Sequence, residues 1–172
     1  MEISALQKER AAYQPKLPKA LQGAVKVKEG APTKSVDNQE EIKKIIEATE
    51  NIKHKLIIQL SYGMGLRVSE IVNLKIEDID SVKMKVFIER AKGKKDRYAN
   101  LPKSILKDLR LYYKEHQPKK FLFEGKYGER YSIRSAQQVF KTAMNKAGIK
   151  KTVGIHALRH SYATHLLEYG TD

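Results

Sequence analysis

The chain reads as an α+β domain, predominantly α-helical with a small antiparallel β-hairpin or sheet. Three observations predict this. Apolar residues recur at helical spacing through most of the chain, as at Ile42, Ile45 and Ile46. One stretch, KVFIER (85–90), alternates at the strand period and puts Val86 and Ile88 on one face. Glycine- and proline-bearing turns separate these runs, and no internal repeat is visible.

The elements follow in order. Residues 2–13 have the spacing of a short amphipathic helix on Ile3, Leu6 and Ala11. Residues 14–36, rich in proline, glycine and lysine, read as a basic linker or extended arm. The domain proper is expected near Asp37, where Asp37 and Glu40 have the spacing of a capping box. A second helix is predicted from about Lys53 through Leu56, Ile57 and Leu60, breaking at YGMG (62–65). A third starts at Arg67 with Val68, Ile71 and Val72 inward. After strand KVFIER, the lysine-rich AKGKKD forms a tight turn and RYANLP returns as the partner strand. A helix from about Ser104 to His116 presents Ile105, Leu109 and Tyr112, and FLFE (121–124) is short and apolar. Ser132 is placed to cap a helix that runs to about Ala147 and stops at Gly148. The last helix begins near His156, with Leu158 and Ala163 inward.

Composition narrows the class. The 172 residues are one domain's worth of chain with room for a hydrophobic core. There are 34 Lys plus Arg against 20 Asp plus Glu, a formal charge of +14, which points to a polyanionic partner. The lysines are spread along the chain and do not stripe one helix against large apolar residues, so a membrane-surface helix is disfavoured. No apolar run is long enough for a membrane span, and the mixed-charge N-terminus lacks a signal-peptide core. With no cysteine there is no disulfide and no thiolate metal site. A cytoplasmic protein is the simplest reading.

Three clusters carry chemistry. In GMGLRVSEIVNL, Arg67 stands near a helix N-terminus, where a cation opposes the helix dipole. A bound phosphate explains it, with Glu70 at i+3 holding the guanidinium; an ordinary surface ion pair explains it too. The turn AKGKKDR gathers Lys92, Lys94, Lys95 and Arg97 as a phosphate-gripping finger, and Lys92 could donate a proton; a solvated hairpin turn is the bland reading. Finally, His156 and Arg159 share one face of a late helix. His156 and His160 have i, i+4 spacing, but Ala157 stands where an HExxH zinc motif has glutamate, so no metal is expected. His160 and His165 read as packed structural histidines. No P-loop or Rossmann fingerprint supports nucleotide chemistry.

The order R-x-x-E after a YGxGL turn, lysine on a hairpin, then H-x-x-R on a late helix resembles the catalytic domain of tyrosine recombinases, the phage-integrase and Xer family. The resemblance runs from about Val36 to Asp172 and is closest in YGMGLRVSEIVNLKIEDID and GIHALRHSYATHLLEYGTD. It implies a site-specific recombinase or integrase domain that cuts and rejoins double-stranded DNA through a 3′-phosphotyrosine, with no cofactor and no metal. The implied catalytic residues are Arg67, Glu70, Lys92, His156 and Arg159. Lys94, Lys95 and Arg97 would grip DNA. SIRSAQQVFKTA resembles the family helix that enters a major groove, which makes Arg134, Gln137, Gln138 and Lys141 the expected contacts. Such proteins assemble as homo-oligomers on DNA.

Two departures shape the expectation. Family members continue past the H-x-x-R helix to a further His or Trp and then the tyrosine nucleophile, positions that fall after Asp172; Tyr162 and Tyr169 stand too close to Arg159 on one helix to replace it. Residues 1–36 do not resemble a complete core-binding domain. The expected organisation is a basic N-terminal arm or linker over 1–36 and a catalytic domain lacking its C-terminal segment over 37–172, inactive by itself. The alternative is a non-catalytic DNA-binding module on the same fold.

Overall fold

A computed structural model describes Val36, residues 38–91 and residues 95–169. Among these the elements run α1 (Gln39–Glu47), α2 (Ile52–Gly63), α3 (Val68–Asn73), a 3₁₀ turn (Ile76–Asp78), β1 (Ile79–Asp80), β2 (Lys85–Ala91), β3 (Lys95–Asn100), α4 (Lys103–His116), α5 (Ile133–Lys146) and α6 (His156–Tyr169). The helix-dominated α+β class is as predicted. The helix over 2–13, the arm over 14–36 apart from Val36, and Asp37 lie outside the described residues.

Local chemistry accounts for the helix limits. Asn38, one residue after the Asp37 expected from the sequence, caps α1, its Oδ1 accepting from the Glu40 N–H at 2.9 Å. Asn51 does the same for α2 through the His54 N–H at 3.1 Å. Ser132 caps α5 as expected, accepting from the Ser135 N–H at 2.9 Å. Gly148 at φ 72° ends that helix, and the Ile149 N–H returns to the Met144 carbonyl at 3.0 Å. Pro102 precedes α4, where its missing N–H costs nothing.

α2 is the central element. Leu56, Ile57, Ile58, Leu60 and Ser61 are all buried in it, and α1, α3, α4, α5 and α6 pack against it. A helix apolar on most sides belongs in the middle of a bundle. The core continues through Ile42, Ile71, Leu109, Tyr112, Phe123, Phe140 and Leu158. Ser161 on α6 ties down the chain before α1, its hydroxyl lying 2.6 Å from the Val36 carbonyl.

The sheet is antiparallel with order β1-β2-β3. Val86 pairs with Ala99, Phe87 with Tyr98 and Ile88 with Arg97, and the register is irregular between Ile88 and Ala91. Val86, Ile88 and Ala99 face the core. One point differs from the sequence reading. β1 is an added strand whose two residues have no alternation to reveal them; pairing with β2 makes it. The short apolar FLFE segment is held by isolated bridges, Lys75 with Phe121 and Glu124 with Arg130. Among the described residues, no helix is long and apolar enough to cross a membrane.

Candidate active site

The break between α2 and α3 builds the site. Gly65 takes φ +59°, a left-handed conformation that L side chains resist. A Cβ there would also lie 2.5 Å from Cδ1 of the Tyr162 ring on α6, so the backbone and that ring meet only because position 65 has no side chain. Buried Ser61 lies 3.5 Å from the carbonyls of Leu66 and Ile155, joining this turn to the start of α6.

Arg67 is the N-cap residue of α3. Its own N–H donates to Glu70 Oε2 at 2.8 Å, and its Nη1 donates to Glu70 Oε1 at 3.0 Å. The i+3 partnership expected from the sequence is present, but Glu70 is no exposed surface partner: its side chain is 6% exposed. A second guanidinium enters from β3, with Arg97 Nη2 3.0 Å from Glu70 Oε2. From α6, Arg159 Nη1 donates to the Gly65 carbonyl. Burial first, then the neighbouring charge of Arg67, holds Arg159 below the ordinary guanidinium pKa; Glu70 opposes this and Arg97 adds to it. Two arginines, Arg67 and Arg97, thus share one carboxylate, with Arg159 close enough to feel all three charges, and these four side chains together are net cationic. Guanidiniums fixed in place with charge to spare suit an oxyanion or phosphate.

His156, the first residue of α6, is exposed and lies one turn before Arg159. It lines an open recess with Arg134, Gln137, Gln138 and Lys141, all exposed along α5. The α5 face and His156 therefore share one surface, and α6 joins that surface to the arginine cluster.

Other expectations fare differently. Lys92 and Lys94 lie outside the described residues, as does the side chain of Lys95. β3 begins at Lys95, so Lys95 and Arg97 are strand residues and not part of a tip; Arg97 turns to Glu70. His165 is packed as expected, with Nδ1 3.0 Å from the Tyr62 hydroxyl. His160 is exposed, and so is Ala163. The inward face of α6 is Leu158, Ser161 and His165, at i, i+3 and i+7, which turns 160 and 163 to solvent. Among the described residues, no group of three or more His, Asp or Glu side chains gathers to hold a metal ion. Sequence reasoning missed the Arg97–Glu70 pair and the Gly65 carbonyl. Only the first left a signal, a cation at a position whose strand partner faces the core.

The chain belongs to the phage integrase family, whose model matches residues 36–172. It is 38% identical over 164 residues to the tyrosine recombinase XerA of Pyrococcus furiosus, covering 92% of this chain and 52% of that protein. It is 38% identical over 138 residues to a tyrosine recombinase of Thermosipho africanus, covering 78% of this chain and 48% of that one. Among solved structures, that of XerA recombinase aligns with a TM-score of 0.71 at 28% identity, over 78% of this chain and 51% of that one. The chain spans about half the length of the curated relatives it matches.

Proposed function

We propose that this chain supplies the phosphate-holding part of a DNA-cleaving and DNA-rejoining tyrosine recombinase, acting on double-stranded DNA in the cytoplasm. The observation that carries the reading is the convergence of Arg67 and Arg159, from separate helices, on one site ordered by Glu70. Membership of the phage integrase family supports it.

In this chemistry a tyrosine hydroxyl attacks the scissile phosphorus, the bond from phosphorus to the 5′ oxygen breaks, and that oxygen takes a proton. The phosphoester is conserved as a 3′-phosphotyrosine, which a 5′-hydroxyl of another strand then attacks. Negative charge grows on the non-bridging oxygens during each step, and Arg67 and Arg159 are the residues to stabilise it. Preorganisation matters here: Arg159 is already anchored on Gly65 and Arg67 on Glu70, so little reordering accompanies the reaction. Lys92 is assigned as the proton donor and His156 as a hydrogen-bond donor or acid–base partner. Arg134, Gln137, Gln138 and Lys141 would contact the duplex. Residues 1–36 serve as a basic arm and 37–172 as the catalytic domain, working as a homo-oligomer on DNA.

The test uses a nicked suicide duplex and a polypeptide in which residues 1–172 are joined to a family C-terminal segment carrying the attacking tyrosine. A covalent protein–DNA adduct is expected, and Arg159→Ala should lower its rate on the order of 10²–10³-fold, the usual cost of one oxyanion donor. An adduct rate indifferent to Arg159→Ala would refute the site. Duplex binding with no adduct from the joined polypeptide would establish the non-catalytic module instead.

A further inference from the structure

Resting on the reading of the arginine cluster as a phosphate-holding site, we infer that Arg97 is a positioning residue of that site, acting through Glu70 to hold the Arg67 guanidinium. Its place in the sheet is the first argument. Arg97 stands directly opposite Ile88, and directly opposed residues in an antiparallel pair share a face. That face is the core face: Ile88 is 2% exposed, Val86 1% and Ala99 8%. The alternate face carries the Phe87–Tyr98 pair, with Tyr98 67% exposed. An apolar residue at 97 would simply extend the buried stripe. Arg97 instead keeps 36% of its side chain exposed at the rim of that stripe, where an ion pair adds little stability, so stability alone gives no reason for a guanidinium there.

Glu70 supplies the reason. Its nearly buried carboxylate accepts from Arg67 at both oxygens and from Arg97 at Oε2. The last torsion of a glutamate is soft, so the plane of the carboxylate is set by its partners and not by its rotamer. Arg67 alone cannot fix that plane, because both its donors move with the first turn of α3, a helix of only six residues. Arg97 comes from a different element, the paired strand β3, and pins the same carboxylate from outside. Remove it and Oε2 keeps one donor; the carboxylate can turn and Oε1 can leave Arg67. Sheet and helix are thus coupled at the carboxylate that orients Arg67.

The experiment uses the chain itself, with inorganic phosphate as probe, and reads the side-chain Nε–H signals of Arg67 and Arg159 by ¹⁵N–¹H spectroscopy. Arg97→Met should move the Arg67 signal in the ligand-free protein and weaken phosphate binding roughly tenfold, the lower end of what one charge-assisted hydrogen bond supplies. The urea midpoint should hardly change, since partly exposed ion pairs contribute little to stability. Arg97→Lys should recover most of both readouts. Arg97→Met combined with Tyr98→Lys restores the charge on the opposite face of the strand and should recover neither. If Tyr98→Lys rescues as well as Arg97→Lys, Arg97 acts by charge alone and the inference falls. It also falls if Arg97→Met leaves the Arg67 signal in place, or if the affinity loss merely tracks a loss of stability. If the parent chain binds no phosphate, the proposed function fails, while the Arg67 signal of the ligand-free protein still decides the role of Arg97.

Discussion

Replacing Gly65 by alanine perturbs the residue on which the site turns, and two separate penalties can be read from the geometry. The first is conformational: at φ +59° a Cβ is strained whatever the space around it, at roughly 1–2 kcal/mol. The second is steric. The new methyl would lie 2.5 Å from Cδ1 and 2.8 Å from Cε1 of Tyr162, too close for either ring atom, and overpacking of this kind costs about 1–3 kcal/mol. Together they predict a loss of roughly 2–5 kcal/mol for Gly65→Ala, measured by urea unfolding with the slope unchanged. A double-mutant cycle separates the terms. Tyr162→Ala deletes the ring, so only the steric part should be recovered in the double variant, giving a coupling of about 1–3 kcal/mol. The conformational part should persist. A loss below about 0.5 kcal/mol, the range of an unremarkable surface change, would refute the reasoning. So would a cycle with no coupling, because the tight approach of Tyr162 to Gly65 would then carry no energy. The same cycle bears on function, since the Gly65 carbonyl accepts from Arg159.

Two further outcomes follow from the caps and the titrating groups. His54 is held below its ordinary pKa of 6.5, by burial first and then by the charges of Lys53 and Lys146. Between its folded value and 6.5 the unfolded chain binds more protons, so stability rises with pH through that window and is lost as acid is added. The stability of the parent relative to His54→Gln should therefore be greater at neutral pH than under mild acid; urea titrations giving the same difference at both would show that His54 carries no such linkage. Ser132→Ala removes the hydroxyl that accepts from the Ser135 N–H, and should cost about 1 kcal/mol in urea unfolding. An unchanged midpoint would mean that solvent replaces the cap without loss.

Much of this protein was legible from its residues one segment at a time. Helix periodicity, the serine cap and the stop at Gly148 are local facts: each depends on neighbours within a turn or two, and the sequence states them directly. The pairing of Arg67 with Glu70 was legible for the same reason, being an i, i+3 contact on one helix start. The family resemblance likewise rests on residue types in order.

What the tertiary structure decided is everything that spans distant segments. β1 exists because β2 offers it hydrogen-bonding partners, and two residues have no period to read. The inward face of α6 depends on what packs against it, which is why Ala163 and His160 are solvent-facing although a helical wheel alone allows either. Arg97 and Glu70 are 27 residues apart, and only the strand register turns that arginine toward the carboxylate. The Gly65 carbonyl and Arg159 are 94 residues apart. Contacts of that span are closed by core burial across several elements at once, a condition no single segment of the sequence contains.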